Sequence, residues 1–113
     1  MDDFIGSIKM WAVSYEPEGW FFCDGRLLPI VQYQALYALL GTTYGGDGRT
    51  NFALPDLRGR IPVGAGQNYQ SNAHQLGDKA EIRLNEENDA KNVISMLAIN
   101  YIICYMGIFP PRQ

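Results

Sequence analysis

Histidine occurs once in this sequence, cysteine twice and basic residues only nine times. A single His74 cannot head a nucleophile–base–orienter set. Nor does one histidine beside two distant cysteines supply the converging ligands of a metal site. The residues therefore argue against an enzyme, and no cofactor is expected. Cys23 and Cys104 lack CxxC spacing and lie in apolar runs, as buried free thiols do; a chain kept in the cytosol leaves them reduced. The net charge of −3 gives no electrostatic reason to expect nucleic acid or an anionic membrane as partner. A basic n-region is also missing, since Met1-Asp2-Asp3 is acidic, so no signal peptide is read and synthesis in the cytoplasm is expected. The one long apolar stretch, Val93 to Phe109, is interrupted by Ser95 and Asn100. It falls short of the ~20 apolar residues of a membrane span. Internal repeats and low-complexity segments are absent.

What the chain has is apolar and aromatic mass: 47% hydrophobic and 12% aromatic residues in 113, the composition of one packed domain with little stability to spare. Glu18 to Gln67 organises it, with Gly and Pro every few residues and apolar residues between them. Ile5 to Val13 alternates loosely and reads as a strand apolar on most of both faces. After a turn at Pro17-Glu18-Gly19, Trp20 to Cys23 reads as a second strand. Asp24-Gly25 is a two-residue hairpin signal, with Arg26 to Leu28 as the return strand. Tyr33, Leu36, Tyr37 and Leu40 recur at helical spacing and place one main helix over about residues 31–40. Gly41 stands where a left-handed residue commonly ends a helix. Thr42 to Thr50 is a Gly-rich loop and Asn51 to Leu57 is extended. Arg60 to Gly66 is a short extended piece, which Pro62 makes an edge or a bulge. Ala80 to Leu84 reads as a strand. Asn85 to Asn92 is the most polar segment. Val93 to Phe109 is rich in β-branched and aromatic residues and reads as a buried strand.

Four of the basic residues (Arg26, Arg49, Arg58, Arg60) lie in the central stretch, whereas Asp78, Glu81, Glu86, Glu87 and Asp89 come later. A chain divided this way can pair with itself or with its copies. Gly45-Gly46-Asp47-Gly48-Arg49-Thr50 suggests a phosphate loop but lacks the following Gly-Lys-Ser/Thr, and its glycines follow a helix instead of opening one; a structural turn fits better. Asp47 and Asp56 are candidate paired carboxylates. Asp56, between Pro55 and Arg58, is better placed to bind backbone amides or an arginine. On that reading Asp56→Ala costs ~1–3 kcal/mol through unsatisfied buried donors. Arg58 and Arg60 flank Gly59 as an anion clamp would, but buried pairing to Asp47, Asp56 or a neighbouring subunit's acid fits better.

Several segments together resemble the phage tail collar domain family, specifically its small stand-alone members called microcystin-dependent proteins. They are Phe4-Ile5-Gly6-Ser7-Ile8, Gly19-Trp20-Phe21-Phe22-Cys23-Asp24-Gly25, Leu28-Pro29-Ile30, Leu39 to Gly48, and Phe52-Ala53-Leu54-Pro55-Asp56-Leu57-Arg58-Gly59-Arg60. The resemblance continues at Leu76-Gly77-Asp78, at Leu97 to Ile103 and at Gly107-Ile108-Phe109-Pro110. It implies an α+β fold: a small, mainly-β collar with one main helix, intertwined as a homotrimer, over a single domain at 1–113. It implies a non-enzymatic collar or tip module of a tail fibre, in a phage or a phage-derived contractile injection particle. Its partners would be itself and other tail-fibre or baseplate proteins, and it would be assembled into a virion tail or an extracellular phage-like particle. The residues expected to carry structure and assembly are Trp20, Asp24, Gly25, Gly45, Gly46, Asp47, Pro55, Asp56, Arg58 and Arg60; none is expected to be catalytic or to bind metal. Two departures stand out. Val31 replaces the family's usual capping residue, and residues 85–92 form an exposed connector where family members carry an inserted variable domain. The rival reading is a small lectin-like adhesin that binds host surface glycan through Tyr15, Tyr44 and Tyr69.

Overall fold

The computed structural model describes residues 3–66, 74–81 and 93–112. The connector at 85–92, Tyr69 and most of the strand expected at Ala80 to Leu84 lie outside the described residues. The architecture is α+β and mainly β. Strands β1 (Ile8–Trp11), β2 (Trp20–Phe22) and β3 (Leu27–Pro29) precede helix α1 (Gln34–Leu40); β4 (Asn51–Ala53) and β5 (Asn100–Cys104) follow it. They form two sheets, one ordered β1-β5-β2 and the other β3-β4.

Strand β5 runs antiparallel to both neighbours, with Ile8 opposite Ile103 and Trp20 opposite Cys104. Side chains alternate across a strand, and β5 uses both faces. Ile103 packs with Ile5, Cys23, Leu28, Leu36, Phe52 and Leu54, while Ile102 and Cys104 pack with Trp20 in a second cluster, flanked by Trp11 and Phe22. The long apolar run near the end of the sequence thus supplies the central strand. Phe52, fully buried on β4, ties the second sheet into the first cluster, with Tyr37 of α1 against its ring at 5.3 Å.

Several elements differ from the expectation. The hairpin at Asp24-Gly25 does not form. A type I′ turn needs positive φ at both central residues, but only Gly25 has it, at 75°. β2 is instead held to β5, with the Cys23 amide donating to the Tyr101 carbonyl at 2.9 Å. β3 pairs with β4, Leu28 opposite Phe52. The dipeptide is a passage between sheets. The helix occupies the last seven residues of its expected range; Ile30 to Gln32 form a turn closed by the Tyr33 amide on the Ile30 carbonyl. No side chain caps the helix, and the neighbouring Val31 carries no capping oxygen. Gly41 ends it at φ 56°, ψ −141°, positive as expected but in the region reserved for glycine and not in the left-handed helical well.

The first strand is shorter than expected and not apolar-buried: Ile8 and Met10 are exposed on β1. Arg60 to Ala65 forms no strand, and only Gly66 bridges, to His74. Val93 to Ile99 is likewise without regular structure, so the closing strand begins at Asn100.

Candidate functional site

The passage between the sheets is built from two Asp-x-Arg turns set side by side. Asp24 and Asp56 bridge each other, and the Gly25 amide donates to the Pro55 carbonyl at 3.2 Å. This contact forces glycine at position 25. Its φ is positive, and a Cβ there would lie 3.0 Å from the Asp56 Cβ. Each turn carries the same fork. The Arg26 backbone amide and Nε donate to Asp24 Oδ1 at 3.2 and 3.0 Å, and Nη2 donates to Oδ2 at 2.9 Å. In the second turn the Arg58 amide, Nε and Nη2 reach Asp56 at 3.2, 2.8 and 2.9 Å.

Their surroundings separate them. Arg26 also donates to Glu16 Oε1 at 2.9 Å, and its guanidinium lies 4.8 Å from the Phe21 ring. Glu16 Oε2 accepts from the Phe22 amide at 3.1 Å, which anchors the network to β2. The side chain of Arg26 is 30% exposed; that of Arg58 is 71% exposed. The hydrogen bonds from Arg58 hold the Asp56 carboxyl down at about 2. Those from Arg26 lower Asp24 as well, against a partial desolvation that raises it. The pairing of Arg58 with Asp56 is therefore an exposed one, and among the described residues the side-chain donors to Asp56 are those of Arg58. Arg60 lies near Arg58 on the rim of a cleft.

The Gly-rich loop is a separate unit. Asp47 Oδ1 accepts from the amides of Arg49, Thr50 and Asn51 at 2.8, 2.9 and 3.1 Å, and these bonds bring its carboxyl to about 2. The Gly45 carbonyl accepts from the Ala53 amide at 3.0 Å, which seats the loop on β4. Gly46 has φ 94°, and a Cβ there would run into the Phe52 Cα, so the loop packs backbone to backbone against the core. All three amide donors around Asp47 are occupied by the carboxylate itself, as in an Asx turn. Trp20 stands apart from both units, buried in the second core cluster, with the Lys9 ammonium 5.3 Å from its ring.

Glu16 escaped the sequence reading. It meets Arg26 across ten residues through the fold, and no local spacing announces such a contact. Both thiols are free and buried; burial first, and then Asp24 and Asp56, push Cys23 up to about 12. Among the described residues no group of three His, Cys, Asp or Glu side chains is placed to hold a metal ion. No helix there is long and apolar enough to cross a membrane.

The surface carries a cleft of about 890 Å³. Met10 and Ala12, Phe22 to Asp24, Leu57 to Ile61, Ile94, and Met96 to Tyr101 line it. Met10, Ile61, Ile94, Met96 and Leu97 are each more than 60% exposed. These features define a scaffold: short strands joined by loops that carboxylates and glycines make rigid, with an apolar groove open to solvent.

Residues 6–62 match the Phage Tail Collar Domain family. That is half of the chain, and the chain belongs to this family. It is similar to Protein RhiB of Rhizobium leguminosarum bv. viciae, at 47% identity over 51 residues, which cover 42% of this chain and 23% of that protein. It is also similar to the short tail fiber protein gp12 of Enterobacteria phage T4, at 36% identity over 64 residues, 56% of this chain and 12% of that protein. The matched stretches thus span less than a quarter of either relative.

Proposed function

We propose that this chain is a non-enzymatic structural component of a phage tail or of a phage-derived contractile injection particle. In it the chain forms a collar or tip module of a tail fibre, assembled as a homotrimer and joined to other tail-fibre or baseplate proteins. The observation that carries the reading is the pairing of a rigid collar scaffold with uncovered apolar surface: Val93, Met96 and Leu97 are 74%, 80% and 84% exposed. Contiguous apolar surface of this kind marks an interaction site, and closed cyclic symmetry is the usual way for copies of one chain to cover it. The similarity to a short tail fiber protein supports the setting. Light scattering at micromolar concentration tests the assembly. A mass near three chains is expected, and a clean monomer sinks the homotrimer. Sedimentation of particles from a producing culture, followed by mass spectrometry of the pellet, tests the setting; a chain found only in the supernatant speaks against a tail component.

The glycan-binding alternative has less behind it. Of its three tyrosines, Tyr15 is exposed and Tyr44 half-buried. A glycan array separates the two readings.

A further inference from the structure

We infer that Asp47-Gly48 is a self-modification site, where aspartate passes through a cyclic imide to isoaspartate, and that the fold holds the matching dipeptide Asp24-Gly25 shut against the same reaction.

Asp-Gly occurs twice in the sequence, at Asp24-Gly25 and Asp47-Gly48, and Asn-Gly does not occur. Glycine has no Cβ to shield its backbone nitrogen, so at these two places the chain is most open to attack on itself. The Gly nitrogen bonds to the Asp Cγ, the amide proton and the carboxyl hydroxyl leave as water, and a cyclic imide closes. A water molecule then opens the ring. Breaking the new Cγ–N bond restores aspartate. Breaking the original peptide C–N bond gives isoaspartate, whose main chain runs through the side-chain carbons. Nothing is oxidised or reduced, and no reagent but water enters.

In the closed structure both pairs are braked alike. Each Gly N–H is already given to a carbonyl, Gly25 to Pro55 at 3.2 Å and Gly48 to Asn51 at 2.9 Å. Each carboxylate is held by donors. The reaction therefore runs from an opened state, and its rate follows the population of that state. What has to open differs between the two. Among the described residues the donors to the Asp47 side chain all come from Arg49, Thr50 and Asn51, and the acceptor of the Gly48 N–H is Asn51 again. One excursion of this exposed loop frees the carboxyl and the attacking nitrogen together. The Tyr37 hydroxyl, donating to the Gly48 carbonyl at 3.2 Å, ties the dipeptide to the helix from outside the loop. At Asp24 the partners come from across the fold. Arg26 is itself held by Glu16 and packed on Phe21, the Gly25 N–H is given to the second turn, and the two turns bridge each other. Freeing Gly25 means parting the turns where the chain passes between sheets, an opening near the global end of the scale.

Prolonged incubation of the whole chain at neutral pH tests this. Trypsin then places the two aspartates on separate peptides, 10–26 and 27–49. An isoaspartyl methyltransferase with S-adenosylmethionine methylates the carboxylate that isoaspartate exposes, and mass spectrometry counts the product on each peptide. The folded chain should gather roughly tenfold or more isoaspartate at Asp47 than at Asp24. The chain unfolded in guanidinium chloride should gather it at both positions at similar rates. Two variants separate the brakes. Arg26→Lys loses the planar fork but keeps the tryptic site, and should raise the yield at Asp24 without changing that at Asp47. Tyr37→Phe should raise the yield at Asp47 alone. Equal yields at the two positions of the folded chain overturn the inference. So does a folded chain with none at Asp47 by the time the unfolded chain has been modified.

Discussion

Two turns of this molecule, Asp24-Gly25-Arg26 and Asp56-Leu57-Arg58, make the same three hydrogen bonds to within 0.2 Å of each other. They touch, yet they occupy different environments. The first is roofed by Phe21 and tied by Glu16 to β2; in the second the Arg58 side chain is 71% exposed, although Asp56 is about as enclosed as Asp24. Identical local geometry therefore does not imply equal energy. A charge-assisted fork in water exchanges one set of good partners for another, whereas a partly enclosed one cannot be broken without stranding its acceptors. The central residues differ for the same reason. Gly25 is pressed against Asp56 with positive φ, while Leu57 has ordinary φ and packs beside the first core cluster.

Removing Arg26 should give the largest effect. Arg26→Ala strands Asp24 and Glu16 and uncovers Phe21, and a loss of about 2–3 kcal/mol in urea unfolding is expected. A loss no larger than that of Arg58→Ala would erase the distinction between the turns. Gly25→Ala comes next, at about 1–2 kcal/mol, because an L-residue is strained at that φ and its Cβ meets Asp56; a neutral result would mean that the Pro55 contact opens easily.

Acid should act in the same direction on every carboxylate that the fold holds below its ordinary value. Asp47 and Asp56 lie at about 2 and Asp24 is also lowered. The stability they contribute is present above the unfolded value near 4, and it is lost as pH falls through the folded one. Melting temperature should therefore drop between about pH 4 and pH 2, and Asp47→Asn should flatten part of that slope. A variant with the wild-type slope would show that Asp47 is not among the groups responsible. The smallest effect belongs to Arg58→Ala, whose melting midpoint at neutral pH should match wild type within error; a clear drop would show the exposed fork to hold more than its solvated geometry suggests.

Part of this was legible in the residues. The Leu36, Tyr37 and Leu40 spacing located the helix face, because a 3.6-residue period needs no tertiary partner to be visible. The structural turn at Gly45 to Thr50 was legible, since such a turn is closed within a few residues, although Asp47 reads as a paired carboxylate or an arginine's partner and instead caps the turn itself. The Asp24-Gly25 hairpin misled because its signal is real but its strands had better partners elsewhere. β2 had an apolar partner far downstream at Tyr101 to Cys104, and no local pattern weighs such a pairing. Glu16 and the cleft were invisible for the same reason.

The sequence by itself determined that this chain is a Gly- and Pro-punctuated collar scaffold of α+β class, with a short helix near its middle and carboxylates that brace its loops. Those features depend on φ preferences, side-chain period and hydrogen bonds between near neighbours. Only the tertiary structure decided that β5 lies between β1 and β2, that one Asp-x-Arg turn is roofed and its twin is not, and that Ile94 to Ile99 lines a groove with its side chains in water. Each depends on which distant surfaces meet, and burial is a property of the assembled chain that no single residue carries.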